Sequence, residues 1–203
     1  ELIGPDRIID PKAANMPEDL WNYGEPYEEF PNDTARLRNV IELAAEKAGW
    51  GASLPEGEGM GIAAHRSFVS YVASVVRVKI AEDGTIQIPE VHTAIDCGYC
   101  INPERVQSQI EGAAVMGTTL ALYSGLTYEN GAVKESNFHD YPVARITSYP
   151  ERVSTHIVEH PFSVHATGVG EPGVPPFAPA LANALFAATG KRLRDLPFGD
   201  RIA

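Results

Sequence analysis

The chain has 203 residues, of which 44% are hydrophobic and 21% charged, and this composition is typical of a folded globular protein with a sizeable core. Its formal net charge is −11, with 16 basic residues against 27 acidic ones, which argues against binding to the phosphates of nucleic acid. No apolar run approaches the roughly 20 residues that a membrane-spanning helix needs, so no membrane span is predicted. The two cysteines provide neither a multi-disulfide framework nor a four-thiolate zinc site.

Residues 1–31 are rich in proline and acidic side chains and show neither the helical nor the strand period. We predict an irregular extended arm over 1–31 and a folded unit over 32–203. The apolar side chains that could anchor the arm are Ile8, Ile9, Trp21, Tyr23 and Phe30. Because the chain starts with Glu1 rather than Met, we expect a processed product or a fragment.

The folded unit is predicted to begin with a helix. Asn32 or Asp33 can cap it, apolar residues recur at helical spacing, and Gly49 or Gly51 ends it. Residues 67–96 are rich in Val, Ile, Phe and Tyr, which predicts a strand, a turn at 82–84 and one or two more strands that form an antiparallel hairpin.

A long helix is predicted over residues 103–125, with Asn102 as N-cap and Pro103 at the first helical position. Its middle has almost no side chains, and a glycine there costs about 1 kcal/mol relative to alanine. Tight helix packing and the close approach of a ligand both explain this composition. The small residues are Gly112, Ala113, Ala114 and Gly117.

The last third of the chain predicts a strand pair around the turn Asn130-Gly131, a strand over 152–160, a Gly/Pro loop over 168–179, and a helix ending at Gly190. The predicted fold class is therefore α+β, with antiparallel hairpins packed against two or three helices.

Glu171 lies in the Gly/Pro loop, in the sequence "TGVGEPGVPP". Gly168 and Gly170 allow close approach to the backbone, and the prolines that follow stiffen the loop. A carboxylate on such a loop suits a general base that acts on something bound near the backbone. A solvated loop glutamate is the alternative from the residues alone.

Cys97 and Cys100 form a C-x-x-C pair, which is also found in thiol-redox proteins. Pro103 at the helix start leaves both cysteines in the preceding loop, and no βαβ order is evident. Structural cysteines are the favoured interpretation.

A protein-ligated metal site is not predicted, because only His156 and His160 among the histidines have a ligand-like spacing and they lie in a predicted strand. The segment 57–63, "GEGMGIA", is similar to a glycine-rich phosphate loop but has no predicted strand before it, and we discount it.

Three motifs in order, "AIDCGYCINPERVQSQIEGAAVMG", "ESNFHDYPVARI" and "GVGEPGVPPFAPALANALFAATGKRLRDLPF", resemble the C-terminal part of the molybdopterin-binding large subunit of the xanthine oxidase family. The resemblance is greatest to isoquinoline 1-oxidoreductase and aldehyde oxidoreductase large subunits. It implies that Glu171 lies beside the molybdenum and acts as general base for a water-derived oxygen, which is transferred to an aldehyde or N-heterocycle.

The resemblance also implies which residues bind the cofactor. Gln109 is the candidate for a hydrogen bond to the pterin, and Gly112 would let the ligand approach the helix. The backbone of the loop before Glu171 would lie near the cofactor. Its residues are Thr167, Gly168, Val169 and Gly170.

For the whole enzyme, the resemblance implies molybdopterin cytosine dinucleotide as the cofactor, [2Fe-2S] clusters on a small partner subunit, and an upstream part of the large subunit that completes the site. The chain alone is then expected to be inactive, and the family suggests a periplasmic location. The alternatives are a non-catalytic scaffold of the same fold and a thiol-redox protein.

Overall fold

The computed structural model describes residues 3–11, 13 and 22–202. The helices are α1 (Thr34–Lys47), α2 (Pro103–Thr118), which continues into a π-helical turn (Thr119–Tyr123), and α3 (Phe177–Thr189). The strands are β1 (Glu58–Ser67), β2 (Ser70–Ile80), β3 (Ile86–Asp96), β4 (Tyr128–Glu129), β5 (Ala132–Val133) and β6 (Val153–Ile157). The predicted α+β class is confirmed. No helix among the described residues has the length and apolar character to cross a bilayer.

The main sheet has the strand order β1-β2-β3-β6. The predicted hairpin is confirmed, because β2 and β3 pair in antiparallel orientation. The prediction missed β1, which is also antiparallel to β2. β6 runs parallel to β3, and the connection between them passes through α2. The sheet is therefore mixed, and the expectation that the chain lacks a βαβ order was wrong.

Helices cover both faces of this sheet. Successive side chains of β2 point to opposite faces, and apolar side chains on each face pack against helices. Val76 and Val78 pack with α3 and the end of α2, and Tyr71 and Val75 pack with α1. The core consequently consists of two apolar layers, one on each side of the sheet.

The glycine-rich segment 57–63 belongs to β1 and to its contact with α3. A Cβ at Gly61 would lie 2.1 Å from the carbonyl oxygen of Ala180, and one at Gly59 would lie 2.4 Å from that of Ala184. The glycines therefore let the backbone of α3 approach the strand directly, which gives them a structural explanation without a phosphate.

The predicted helix ends agree with the structure in three places. Asp33 caps α1 by accepting from Ala35 N at 2.8 Å, and Asn102 caps α2 by accepting from Arg105 N at 3.1 Å. Gly190 ends α3 with φ of 72°. These contacts satisfy backbone groups that the helices leave without partners.

The described residues before Asp33 contain no helix or strand apart from an isolated bridge between Ile8 and Asp33. The ring of Tyr23 lies 4.8 Å from that of Phe68, and the ring of Phe30 lies 5.5 Å from that of His165. The segment thus contacts the end of the sheet near the Glu171 loop. Trp21 lies outside the described residues.

Candidate functional site

The loop that carries Glu171 is fastened to the ends of two strands. Thr167 N donates to the carbonyl of Cys97, just after β3, at 2.9 Å. Gly168 N donates to the carbonyl of Phe68, in the turn between β1 and β2, at 3.1 Å. Both amides are therefore used within the protein, whereas the prediction that the backbone of Thr167 and Gly168 lies near the cofactor stays a prediction.

The hydroxyl of Thr167 is also committed. Ser70 Oγ donates to the carbonyl of Gly168 at 2.6 Å and lies 2.6 Å from Thr167 Oγ1. A serine has a single hydroxyl hydrogen, so Thr167 must be the donor in the second contact. Thr167 therefore offers only its oxygen lone pairs to a ligand.

Glu171 is exposed, whereas the residues directly after it are buried. A Cβ at Gly173 would lie 2.8 Å from the Cβ of Ala113 in α2, so the loop rests tightly on that helix. In the described part of the chain, the Glu171 carboxylate makes no hydrogen bond or ion pair with the protein. A free carboxylate on a supported backbone is available to a ligand.

Gln109 connects α2 to this loop, which brings together the two motifs that sequence analysis selected. Its Nε2 donates to the carbonyl of Gly170 at 3.0 Å. Because a carbonyl oxygen can only accept, this contact fixes the orientation of the amide and leaves Oε1 as an acceptor.

Gly112 lies elsewhere on α2 and does not contact the Glu171 loop. A Cβ there would meet no atom within 4 Å, and the residue lines a groove of about 380 Å³ between α2 and residues 149–153. Gly117 has a packing explanation instead, because a Cβ there would lie 2.5 Å from the ring of Phe177. Of the two glycines Gly112 and Gly117 in α2, only Gly112 leaves space for a ligand.

A buried ionic cluster that was not predicted from the sequence lies beneath the loop. Asp96, at the end of β3, is 1% exposed and accepts from Arg36 Nε at 2.9 Å and from the Gly98 amide at 3.1 Å. His160 Nε2 lies 2.9 Å from its carboxylate, without hydrogen-bond geometry. Burial acts to raise the pKa of Asp96, but Arg36, Gly98 and His160 outweigh it and hold the pKa below its usual value.

The loop that contains the cysteines begins directly after Asp96, and the amide of Gly98 in this loop donates to Asp96. Gly98 has φ of 66°, and a Cβ there would lie 1.9 Å from the carbonyl oxygen of His165.

Cys97 is buried. Its burial is the main cause that raises the pKa of its thiol to about 12, and the neighbouring Cys100 raises it further. A thiol with this pKa stays protonated near neutral pH, which argues against a redox pair.

The histidine pair that was considered for a metal does not come together. His156 instead contacts His92 of the neighbouring strand, with ring nitrogens 3.1 Å apart and stacked rings, while His160 contacts Asp96. Burial lowers the pKa of His156, and His92 lowers it further. Over the described residues, no group of three or more His, Cys, Asp or Glu side chains could hold a metal ion.

The donors beside Glu171 fit a ligand that accepts hydrogen bonds. In the described part of the chain, the amides of Val169, Gly170 and Glu171 donate to no protein acceptor. A Cβ at Gly170 would meet only Gln109 Nε2, at 3.8 Å, so the space above the loop is open. These three consecutive amides therefore keep donor capacity that no described residue uses.

Comparison with known proteins identifies the family. A family model described as "Molybdopterin cofactor-binding domain" matches residues 21–150, which include Gln109 and Gly112 but not Glu171. The chain belongs to this domain family, within the xanthine oxidase family of molybdenum hydroxylases.

Individual relatives agree with this assignment. Isoquinoline 1-oxidoreductase subunit beta of Brevundimonas diminuta is 31% identical over 85% of this chain and 22% of the relative. A membrane-bound aldehyde dehydrogenase [pyrroloquinoline-quinone] of Gluconacetobacter polyoxogenes is 30% identical over 80% of this chain and 21% of the relative. The chain thus spans less than a quarter of the length of these relatives.

A solved structure also resembles this chain. The aldehyde oxidoreductase from Desulfovibrio desulfuricans matches with a TM-score of 0.55 and 28% identity, over 64% of this chain and 15% of that one. This similarity agrees with the observed α+β architecture.

Proposed function

We propose that the chain forms one wall of the molybdenum site in a hydroxylase that oxidises an aldehyde or an N-heteroaromatic compound, and that Glu171 is its general base. The observation that supports this most is the exposed Glu171 carboxylate, which has no protein partner among the described residues and stands beside three unused amides. The family assignment supports the kind of cofactor.

The cofactor we propose is molybdopterin, in its cytosine dinucleotide form. The amides of Val169 and Gly170 would donate to it, and Gln109 Oε1 and Thr167 Oγ1 would accept from its N–H groups. Gly112 lines a separate groove on α2, so we place it at the edge of the site. When bound, the molybdenum centre supplies two-electron redox chemistry and acidifies coordinated water.

Glu171 would act by holding and moving a proton. Bulk water is too weak an acid to give its proton readily to a carboxylate near neutral pH, but water coordinated to a metal is acidified and can do so. The backbone contacts on both sides of Glu171 fix where its side chain begins, which limits the positions that its carboxylate can reach. The role requires an accessible carboxylate, and the exposure of Glu171 meets this requirement.

We propose two protein partners, the remaining part of the large subunit and a small subunit with [2Fe-2S] clusters. Support for the first comes from the share of the relatives that this chain covers and from its surface, where large apolar side chains are exposed. Burial of these side chains by another segment would remove apolar surface from water, which is favourable. The most exposed are Ile101, Phe138, Ile146 and Phe162.

Replacement of Glu171 tests the proposal in the assembled enzyme. We expect Glu171→Gln to retain molybdenum and pterin while turnover falls about 10²- to 10⁴-fold, the usual contribution of a general base. The measurements are metal content, pterin content and kcat with an aldehyde and an N-heterocycle.

Glu56→Gln is the matched control, because Glu56 is also an exposed glutamate but lies near the opposite end of β1 from the Glu171 loop. We expect its turnover to equal that of the wild type. Near-normal turnover of Glu171→Gln with full cofactor content would contradict the proposed base.

A further inference from the structure

The turn between β1 and β2 has an unusual backbone for its residues. Ser67 pairs with Ser70, so Phe68 and Val69 are the only two residues between the strands, and their φ angles are 50° and 54°. Two-residue turns with positive φ at both positions normally contain Asn-Gly or similar pairs. A positive φ is an outlier for a β-branched or bulky residue, and such backbone outliers are concentrated at active sites and ligand-binding sites.

This turn encloses the peptide group on each side of Gly168. The amide of Gly168 donates to the carbonyl of Phe68, and its carbonyl accepts from Ser70 Oγ. A Cβ on Gly168 would lie 2.6 Å from the Cβ of Phe68, so no larger residue fits without displacement. Ser70 is fully buried, and its Oγ also accepts a hydrogen bond from the hydroxyl of Thr167.

We infer that residues 67–70 form a clamp that sets the position of Glu171, and that Ser70 is the positioning residue within it. Gly168 lies three residues before Glu171, and Gln109 holds the carbonyl of Gly170 between them. On the other side, Gly173 packs on α2. The backbone is held before and after Glu171. Loss of the Ser70 hydroxyl removes one contact on the N-terminal side and weakens the hold there, while the hydrogen bonds from Thr167 N and Gly168 N remain. The inference rests on the proposed function.

Ser74 provides a matched control on the same strand. It is 1% exposed, and its Oγ lies 2.9 Å from the hydroxyl of Thr93 in β3. Both serines are buried in β2 and contact a threonine hydroxyl, but Ser74 contacts the sheet and Ser70 contacts the loop. A comparison of the two alanine variants therefore separates loss of a buried hydrogen bond from loss of the clamp.

The experiment compares Ser70→Ala, Ser74→Ala and Ser70→Thr in the assembled enzyme. The measurements are hydrogen exchange of peptides within residues 164–176, melting temperature, molybdenum content, kcat and KM. We expect both alanine variants to lower the melting temperature by similar amounts. We expect only Ser70→Ala to speed exchange in the loop and to lower kcat, by about 10- to 100-fold with KM and molybdenum retained. Ser70→Thr keeps the hydroxyl, so we expect hydrogen exchange in its loop to be as slow as in the wild type.

The possible failures are distinguishable. If Ser70→Ala matches Ser74→Ala in loop exchange and in kcat, the clamp is overturned. If Glu171→Gln abolishes turnover while Ser70→Ala speeds loop exchange without lowering kcat, the positioning role is overturned and the proposed function stands. Full turnover in Glu171→Gln would overturn the proposed function, and the catalytic role of the clamp with it.

Discussion

Glu171 and Ser70 differ in how visible they are in the sequence. Glu171 could be selected because its glycines and prolines form a local pattern around a carboxylate. Ser70 could not, because its partners are 97 and 98 positions away along the chain and a serine within a strand has no distinctive signature. Asp96 was missed for the same reason, since Arg36 and His160 approach it only in the folded protein.

The sequence suggested one reason, close approach of a ligand, for both glycines before Glu171, but the structure gives them different surroundings. Gly168 and Gly170 are both in the motif, but Gly168 is explained by its contact with Phe68, whereas Gly170 faces open space. The sequence pattern indicates that a small residue is needed and does not indicate which neighbour requires it.

The two cysteines give a prediction that tests the thiol-redox alternative. Because burial raises the pKa of Cys97 to about 12, we expect its thiol to remain unmodified by iodoacetamide at pH 7.5 in the folded protein. Mass spectrometry of the two cysteine peptides measures the labelling, and the urea-unfolded protein is the control in which both thiols react. Rapid labelling of native Cys97, or a disulfide between the two cysteines in protein purified without reductant, would support the redox alternative.

Among the elements, the helices were predicted better than the sheet. The ends of α1 and α2 have capping residues that act locally, so Asp33 and Asn102 could be identified from the sequence. β1 was missed because its glycines have low strand propensity, and they are tolerated only because α3 packs directly on them. The turn after it was missed because Phe68-Val69 does not look like a turn.

The parallel position of β6 could not be derived from local pattern either. Its alternation predicted a strand, but its partner β3 is separated from it in the chain by α2 and the small β4–β5 hairpin. Only the tertiary arrangement determines which strand it joins and in which direction.

The contact between α3 and β1 gives a prediction at this scale. We expect Gly61→Ala to lower the free energy of unfolding by about 1–3 kcal/mol or more, because its Cβ would collide with the backbone of α3. Gly112→Ala is the contrasting variant, since Gly112 lies in α2 with open space around it. We expect it to raise stability by about 0.5–1 kcal/mol.

Urea unfolding of the two variants and the wild type measures these differences. If Gly61→Ala were as stable as the wild type, direct packing of α3 on β1 would be contradicted. If Gly112→Ala lowered the free energy of unfolding, the open space around Gly112 would be contradicted.

The molecule has a core on both faces of its sheet and, at one end, a loop on which Gly170 and Glu171 are exposed. The amides beside Glu171 that no described residue uses, and the exposed apolar side chains of Ile101 and Phe162, are the places where the proposed cofactor and partners would bind. The sequence resemblance predicted the family and thereby the need for such components.

The central claim is that this chain is part of a molybdopterin site, and its most direct test is analysis of the natively assembled protein, isolated through this chain. We predict molybdenum at about one equivalent per chain, a cytosine nucleotide after acid release, and a co-purifying protein that contains iron and labile sulfide. A natively isolated protein without molybdenum or pterin would contradict the account and would favour a non-catalytic scaffold with the same fold.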